Sequence, residues 1–160
     1  MSQKPSVGKL WGIVLAGGEG TRVRHFLQRL CGNREIKQFC AVVDSRSMQE
    51  RTLARAERLI PRQRILIVVS PQHRQEVTEQ LAHWPKENVI FQAANRDTGP
   101  GILLPLAHLS HRDPAATVAV FPSDHFIRHE RRFVACLRKA ITETKRFPQE
   151  LTNAVGDDSG

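Results

Sequence analysis

Four short apolar runs alternate with segments of helical spacing, and that alternation restricts the fold more than any other feature. The runs are residues 10–16 (LWGIVLA), 64–70 (RILIVVS), 88–92 (NVIFQ) and 117–121 (TVAVF). Continuous apolar runs of this length suit strands covered on both faces, as in a parallel sheet. Between them, residues 47–60 carry Leu53, Ala56 and Leu59 at helical spacing and stop at Pro61. Residues 71–83 open with Ser70 and Pro71, a cap followed by a proline in the first helical position, and place Val77 and Leu81 on one side. Residues 101–109 are apolar nearly all round, which predicts a well-covered helix. Residues 130–146 carry Phe133, Val134, Leu137 and Ile141 on one stripe.

This order predicts an α/β fold: a Rossmann-like, doubly wound, mostly parallel sheet with right-handed crossovers and helices on both faces. A chain of 160 residues has room for one such domain and not for two. Residues 1–147 are expected to form it. Residues 148–160 (PQELTNAVGDDSG) are polar and expected to be a flexible tail.

The first apolar run ends in Leu15, Ala16, Gly17, Gly18, Glu19, Gly20, Thr21 and Arg22. Ligands of open α/β sheets sit beyond the carboxyl ends of the strands, so a loop here is in the right place to meet one. Glycines let the backbone approach a phosphate and turn several N–H groups toward it. The spacing excludes two common phosphate loops. A GxGxxG fingerprint needs a glycine at position 23, where Val23 stands, and a GxxxxGK loop needs lysine after Gly20, where Thr21 stands. A plain glycine turn from strand to helix remains the alternative on these residues alone.

The segment LAGGEGTR resembles the LAGGxGTR signature of the sugar-phosphate nucleotidyltransferases, which join a nucleoside triphosphate to a sugar 1-phosphate. Further segments match in order. Lys37, Gln38 and Phe39 are similar to the family's PKQF element. Ser47, Met48 and Gln49 lead to Thr52 and Arg55 as in its S-hydrophobic-Q-x-T-x-x-R helix start. Arg96, Asp97 and Thr98 begin a stretch similar to its R-N-T-A-P-A element, and residues 122–127 (PSDHFI) resemble its PADHxI segment. The most similar group within the family is the mannose-1-phosphate guanylyltransferases. The resemblance covers roughly residues 10–133.

The resemblance implies a fold of the nucleotide-diphospho-sugar transferase type, with GTP and mannose 1-phosphate as the favoured substrates and Mg²⁺ as cofactor. It implies that residues 15–22 wrap the nucleotide phosphates, and that Arg22 and Lys37 offset charge developing on the departing pyrophosphate. Arg96, Asp97 and Thr98 would lie near the base, and Asp124 would hold the metal. Asp124 also makes chemical sense by itself. A carboxylate just past a buried strand can hold Mg²⁺ by one oxygen while the metal bridges phosphates, although a turn or cap role fits Pro122 and Ser123 before it equally well. Two departures stand out: Ile36 replaces the usual proline before the lysine, and the stretch from Arg22 to Lys37 is longer than in the family. Lys37 as an ordinary surface lysine remains open.

The net charge of +8 comes mostly from arginine, since only six of the 24 basic residues are lysine. Arginine forks suit phosphates. Nucleic acid is nonetheless not expected as a partner, because the chain has no tyrosine and shows no helix-turn-helix or zinc spacing. Cys31, Cys40 and Cys136 have no CxxC spacing and are expected to be buried or half-buried free thiols of a reducing compartment. Neither a leader nor an apolar run of membrane-spanning length is visible, so a cytoplasmic protein without membrane contact is expected. His108 with His111, and His125 with His129, have helical spacing but no third ligand, and read as surface residues.

Family members continue well beyond this length, with segments for the sugar and a second metal-binding aspartate. Asp157 and Asp158 match neither. The expectation is a truncated domain with a strand edge or an apolar face uncovered, hence a homo-oligomer or a partner carrying the missing carboxyl-terminal half. A non-catalytic nucleotide-binding fragment or regulatory subunit is the alternative to a complete enzyme.

Overall fold

The computed structural model describes residues 9–16, 46–92 and 98–146. In chain order these form β1 (Leu10–Ala16), α1 (Met48–Glu57), β2 (Ile65–Val69), α2 (Arg74–Gln80), β3 (Val89–Phe91), α3 (Thr98–Arg112), β4 (Thr117–Pro122) and α4 (Glu130–Arg146). The four strands make one parallel sheet in the order β3-β2-β1-β4. The expected α/β architecture is therefore present, with every expected run forming a strand.

The two faces of the sheet follow from strand alternation. Val14 and Ala16 of β1, Ile65, Ile67 and Val69 of β2 and Phe121 of β4 point to one side. There they pack with Leu53 and Ala56 of α1, Val77 of α2, and Phe133 and Leu137 of α4. Trp11, Ile13, Leu66 and Val68 point to the other side and meet Leu106 and Leu109 of α3. All five residues of β2 are buried, which is why its run reads as unbroken hydrophobicity.

Helix α1 starts where the chain chemistry says it should. The Ser47 hydroxyl accepts from the Glu50 N–H at 3.1 Å, and the Glu50 carboxylate accepts from the Ser47 N–H at 2.6 Å. This reciprocal pair satisfies two orphan amides of the first turn. At the other end, Ile60 lies over Gly12, where an added Cβ would stand 3.1 Å from its Cδ1. The chain leaving α1 thus packs over the first half of β1. Lower still, the buried Asn88 amide donates to the carbonyls of Arg62 and Gln63 and accepts from Arg112, pinning the start of β2 to the end of α3.

Three expectations need correction. Helix α2 is shorter than the spacing of residues 71–83 predicts: Pro71–His73 is a 3₁₀ turn, and the α-helix ends at Gln80. Pro85 disfavours helical backbone at Trp84, and the chain closes instead with an i to i+3 bond from the Trp84 N–H to the Leu81 carbonyl. Helix α3 is not covered all round. Gly101, Pro105 and Leu109, four residues apart, form its buried stripe, while Leu103 and Leu104 are 66% and 42% exposed. One helix can turn only one stripe to the sheet, whatever the composition of its other faces. Cys136 is an exposed free thiol on the outer side of α4, not a buried one.

Candidate functional site

The sheet grows from β1 through β2 to β3 on one side, then returns to add β4 on the other side of β1. The carboxyl ends of β1 and β4 therefore flank the point where the winding reverses, which is where open α/β sheets hold ligands. Ser123, directly after β4, ties this point together. Its backbone N–H donates to the Leu15 carbonyl at 3.1 Å and its hydroxyl donates to the same oxygen at 2.6 Å. The serine is buried, so its neighbour Asp124 is carried to the rim on a fixed support.

The Asp124 carboxylate is half exposed at 51%, with His125 Nε2 at 3.6 Å from its Oδ1. Phe126 follows on the surface, with the Arg51 guanidinium 5.9 Å from its ring centre. Leu15 and Ala16 end β1 beside them, the first half-buried and the second buried. Helix α3 starts at Thr98 at the same end of the sheet, on the face to which Leu15 belongs. At Gly101 an added Cβ would stand 2.9 Å from Gln92 Nε2 and 4.0 Å from Leu15 Cδ2. Glycine there is what lets the Gln92 side chain lie against the first turn of the helix.

Of the residues singled out from sequence, the structure brings Leu15, Ala16 and Asp124 together and places the backbone of Thr98 at the start of α3. Gly17, Gly18, Glu19, Gly20, Thr21, Arg22, Lys37, Arg96 and Asp97 lie outside the described residues, as do Cys31 and Cys40. Sequence reasoning assigns no structural role to three polar residues that the fold buries. Ser123 enters it only beside Asp124, in the PSDHFI match and as part of a turn. Gln92 closes the third apolar run, and a buried amide there was readable only as the end of a strand. Gln49, in the first turn of α1, is fully buried, with neither its Oε1 nor its Nε2 hydrogen-bonded.

Among the described residues no group of three or more His, Cys, Asp or Glu is placed to hold a metal ion. His108, His111, His125 and His129 are all exposed, as the surface reading expects. No helix among the described residues is long and apolar enough to cross a membrane.

Residues 11–158 match the family model described as nucleotidyl transferase. The chain belongs to the nucleotidyl transferase family. A mannose-1-phosphate guanylyltransferase of Escherichia coli is 30% identical over 133 residues, covering 81% of this chain and 28% of its own length. One of Salmonella typhimurium is 32% identical over 137 residues, covering 83% and 28%. The chain thus spans under a third of the length of these curated relatives. A solved structure from Thermus thermophilus, described as a mannose-1-phosphate geranyltransferase, superposes with a TM-score of 0.71 at 23% identity, covering 85% of this chain and 38% of that one. A mannose-6-phosphate isomerase of Helicobacter pylori gives a TM-score of 0.62 at 24% identity, over 86% and 47%. Both structural likenesses speak for the family's fold.

Proposed function

We propose that this chain supplies the nucleotide-binding part of a sugar-1-phosphate nucleotidyltransferase, with GTP and mannose 1-phosphate as the favoured substrates. The observation that carries this reading is the junction of β1 and β4. Leu15, the first residue of the glycine-rich signature, is bonded directly to Ser123, so the end of β1, from which that signature continues in sequence, lies beside the turn that carries Asp124.

In the proposed reaction an oxygen of the sugar 1-phosphate attacks the α-phosphorus in line, and pyrophosphate departs. Such a transfer asks the protein for positioning and for offsetting of charge rather than for covalent chemistry. Backbone amides of Gly17, Gly18, Glu19, Gly20 and Thr21 would hold the phosphates, Arg22 and Lys37 would offset charge on the leaving group, and Arg96, Asp97 and Thr98 would face the base. Asp124 fits Mg²⁺: a single half-exposed carboxylate, rather than an all-protein cage, suits an ion that keeps most of its waters and takes further oxygens from phosphates. When bound, the ion would supply offsetting charge at the phosphate oxygens. An exposed free thiol at Cys136 suits the reducing setting of the cytoplasm.

The test is pyrophosphate release by the whole chain, supplied with Mg²⁺, each nucleoside triphosphate, and mannose or glucose 1-phosphate. Release that needs both substrates and disappears in Arg22→Ala supports a complete enzyme. Saturable GTP binding without release supports the second reading, a nucleotide-binding fragment or subunit. Neither binding nor release in a folded chain contradicts both.

A further inference from the structure

We propose that a second anion site lies at the start of α4, built to take a small, multiply charged phosphate compound. A cavity of about 500 Å³ opens there, lined by Arg58, Arg128, His129, Glu130, Arg131 and Arg132. That volume falls within the range of small-molecule sites. Four arginines thus line the opening with one glutamate, and the glutamate is already engaged. Glu130 holds Arg55 at 3.4 Å through Oε1 and Arg58 at 3.2 Å through Oε2. Among the described residues Arg128, Arg131 and Arg132 make no ion pair. Four cationic residues against one engaged carboxylate leave the opening net positive, and an anion there offsets that charge.

The backbone adds to the side chains. The Phe133 N–H donates to the His129 carbonyl, so the amides of Glu130, Arg131 and Arg132 precede the helical ladder of a helix 17 residues long. Planar guanidinium forks match phosphate oxygens two at a time, which favours clustered phosphates over a simple halide. Among the described residues no Phe, Tyr or Trp lines the cavity, so the broad stacking platform of a single-stranded nucleic-acid site is missing from it.

This site is separate from the strand ends. Arg58 follows the last turn of α1, about 16 Å along the helix from Ser47. Ile60, two residues on, covers Gly12 in the first half of β1. Ala16 and Asp124 stand where the strands finish.

Calorimetric titration with inorganic tripolyphosphate, into the whole chain at about 0.15 M ionic strength, tests the proposal. The variants are the triple change Arg128→Ser, Arg131→Ser and Arg132→Ser, whose side chains are all exposed, and Arg22→Ala at the phosphate loop. The expected result is saturable binding that persists in Arg22→Ala and weakens about tenfold or more in the triple variant, whose melting temperature without ligand is not lowered. Binding that is lost in Arg22→Ala and kept in the triple variant places the anion at the strand ends and overturns the proposal. So does an equal heat signal when sodium chloride of the same ionic strength replaces tripolyphosphate, or a short single-stranded RNA that binds more tightly than tripolyphosphate in a length-dependent way. Mannose 1-phosphate and pyrophosphate, run beside tripolyphosphate, distinguish a sugar phosphate from a bare phosphate chain as the source of the charge.

Discussion

The Leu15 carbonyl accepts two hydrogen bonds from Ser123, one from its backbone N–H at 3.1 Å and one from its hydroxyl at 2.6 Å. The two residues are 108 positions apart in sequence, yet they close the carboxyl ends of neighbouring strands into one rim. Leu15, Ala16 and Asp124 inherit their relative placement from this contact.

Replacing Ser123 by alanine removes the hydroxyl bond and leaves the backbone one. A single buried hydrogen bond contributes about 1 kcal/mol, so the chain should remain folded and melt a few degrees lower. Nucleotide affinity should fall more than stability does, because the rim and not the core is loosened. Thermal melts with and without GTP measure both, and equal small losses in the two would mean that the contact does not position the site.

Glu130 is the partner of a buried arginine. Burial holds the Arg55 guanidinium below the ordinary arginine range, while Glu130 draws it back up. A cation with a lowered folded pKa carries a cost while it is charged, relieved only as the pH rises through that folded value. Between pH 5 and 9 this group should therefore contribute no slope to stability. Glu130→Gln leaves Arg55, only 4% exposed, without its countercharge. Breaking a buried pair from one side costs up to about 3–5 kcal/mol, and the partial exposure of Glu130 puts the expected loss toward the low end. Urea denaturation of the variant measures it, and a change under about 0.5 kcal/mol, the range of ordinary surface substitutions, would show that the pair is only decorative.

Gln49 makes the opposite prediction. Its amide is fully buried with neither polar atom bonded, and such groups carry a desolvation cost of about 1–3 kcal/mol. Gln49→Met keeps the volume and removes the polar atoms, so the free chain should gain about 1 kcal/mol or more in stability. Chemical denaturation without ligand checks the sign. A loss would mean that the amide makes a bond in solution.

The fold was legible because its strands are buried on both faces: β2, five buried residues in a row, could not read as anything half-wet. Ser47 was legible as a helix start because the capping pair with Glu50 is local, three residues apart. What sequence could not show is long-range. The bond between Leu15 and Ser123, the Arg55–Glu130 pair 75 residues apart and the packing of Gln92 against Gly101 depend on which elements the sheet brings together. The exposed face of α3 was misread for a related reason, since apolar composition says nothing about how many neighbours a helix has. Of the candidate site, Leu15, Ala16 and Asp124 lie at the neighbouring ends of β1 and β4, and their proposed roles, like those of the glycines, Arg22 and Lys37, are carried by the family signature.

The central claim is that the junction of β1 and β4 binds a nucleoside triphosphate. Calorimetric titration of GTP with Mg²⁺ into the purified chain tests it most directly, beside Arg22→Ala and Asp124→Ala. The expected result is a saturable, Mg²⁺-dependent component of GTP binding that the first substitution abolishes and the second makes insensitive to Mg²⁺. A flat titration of a folded chain, or binding that neither substitution changes, would contradict it.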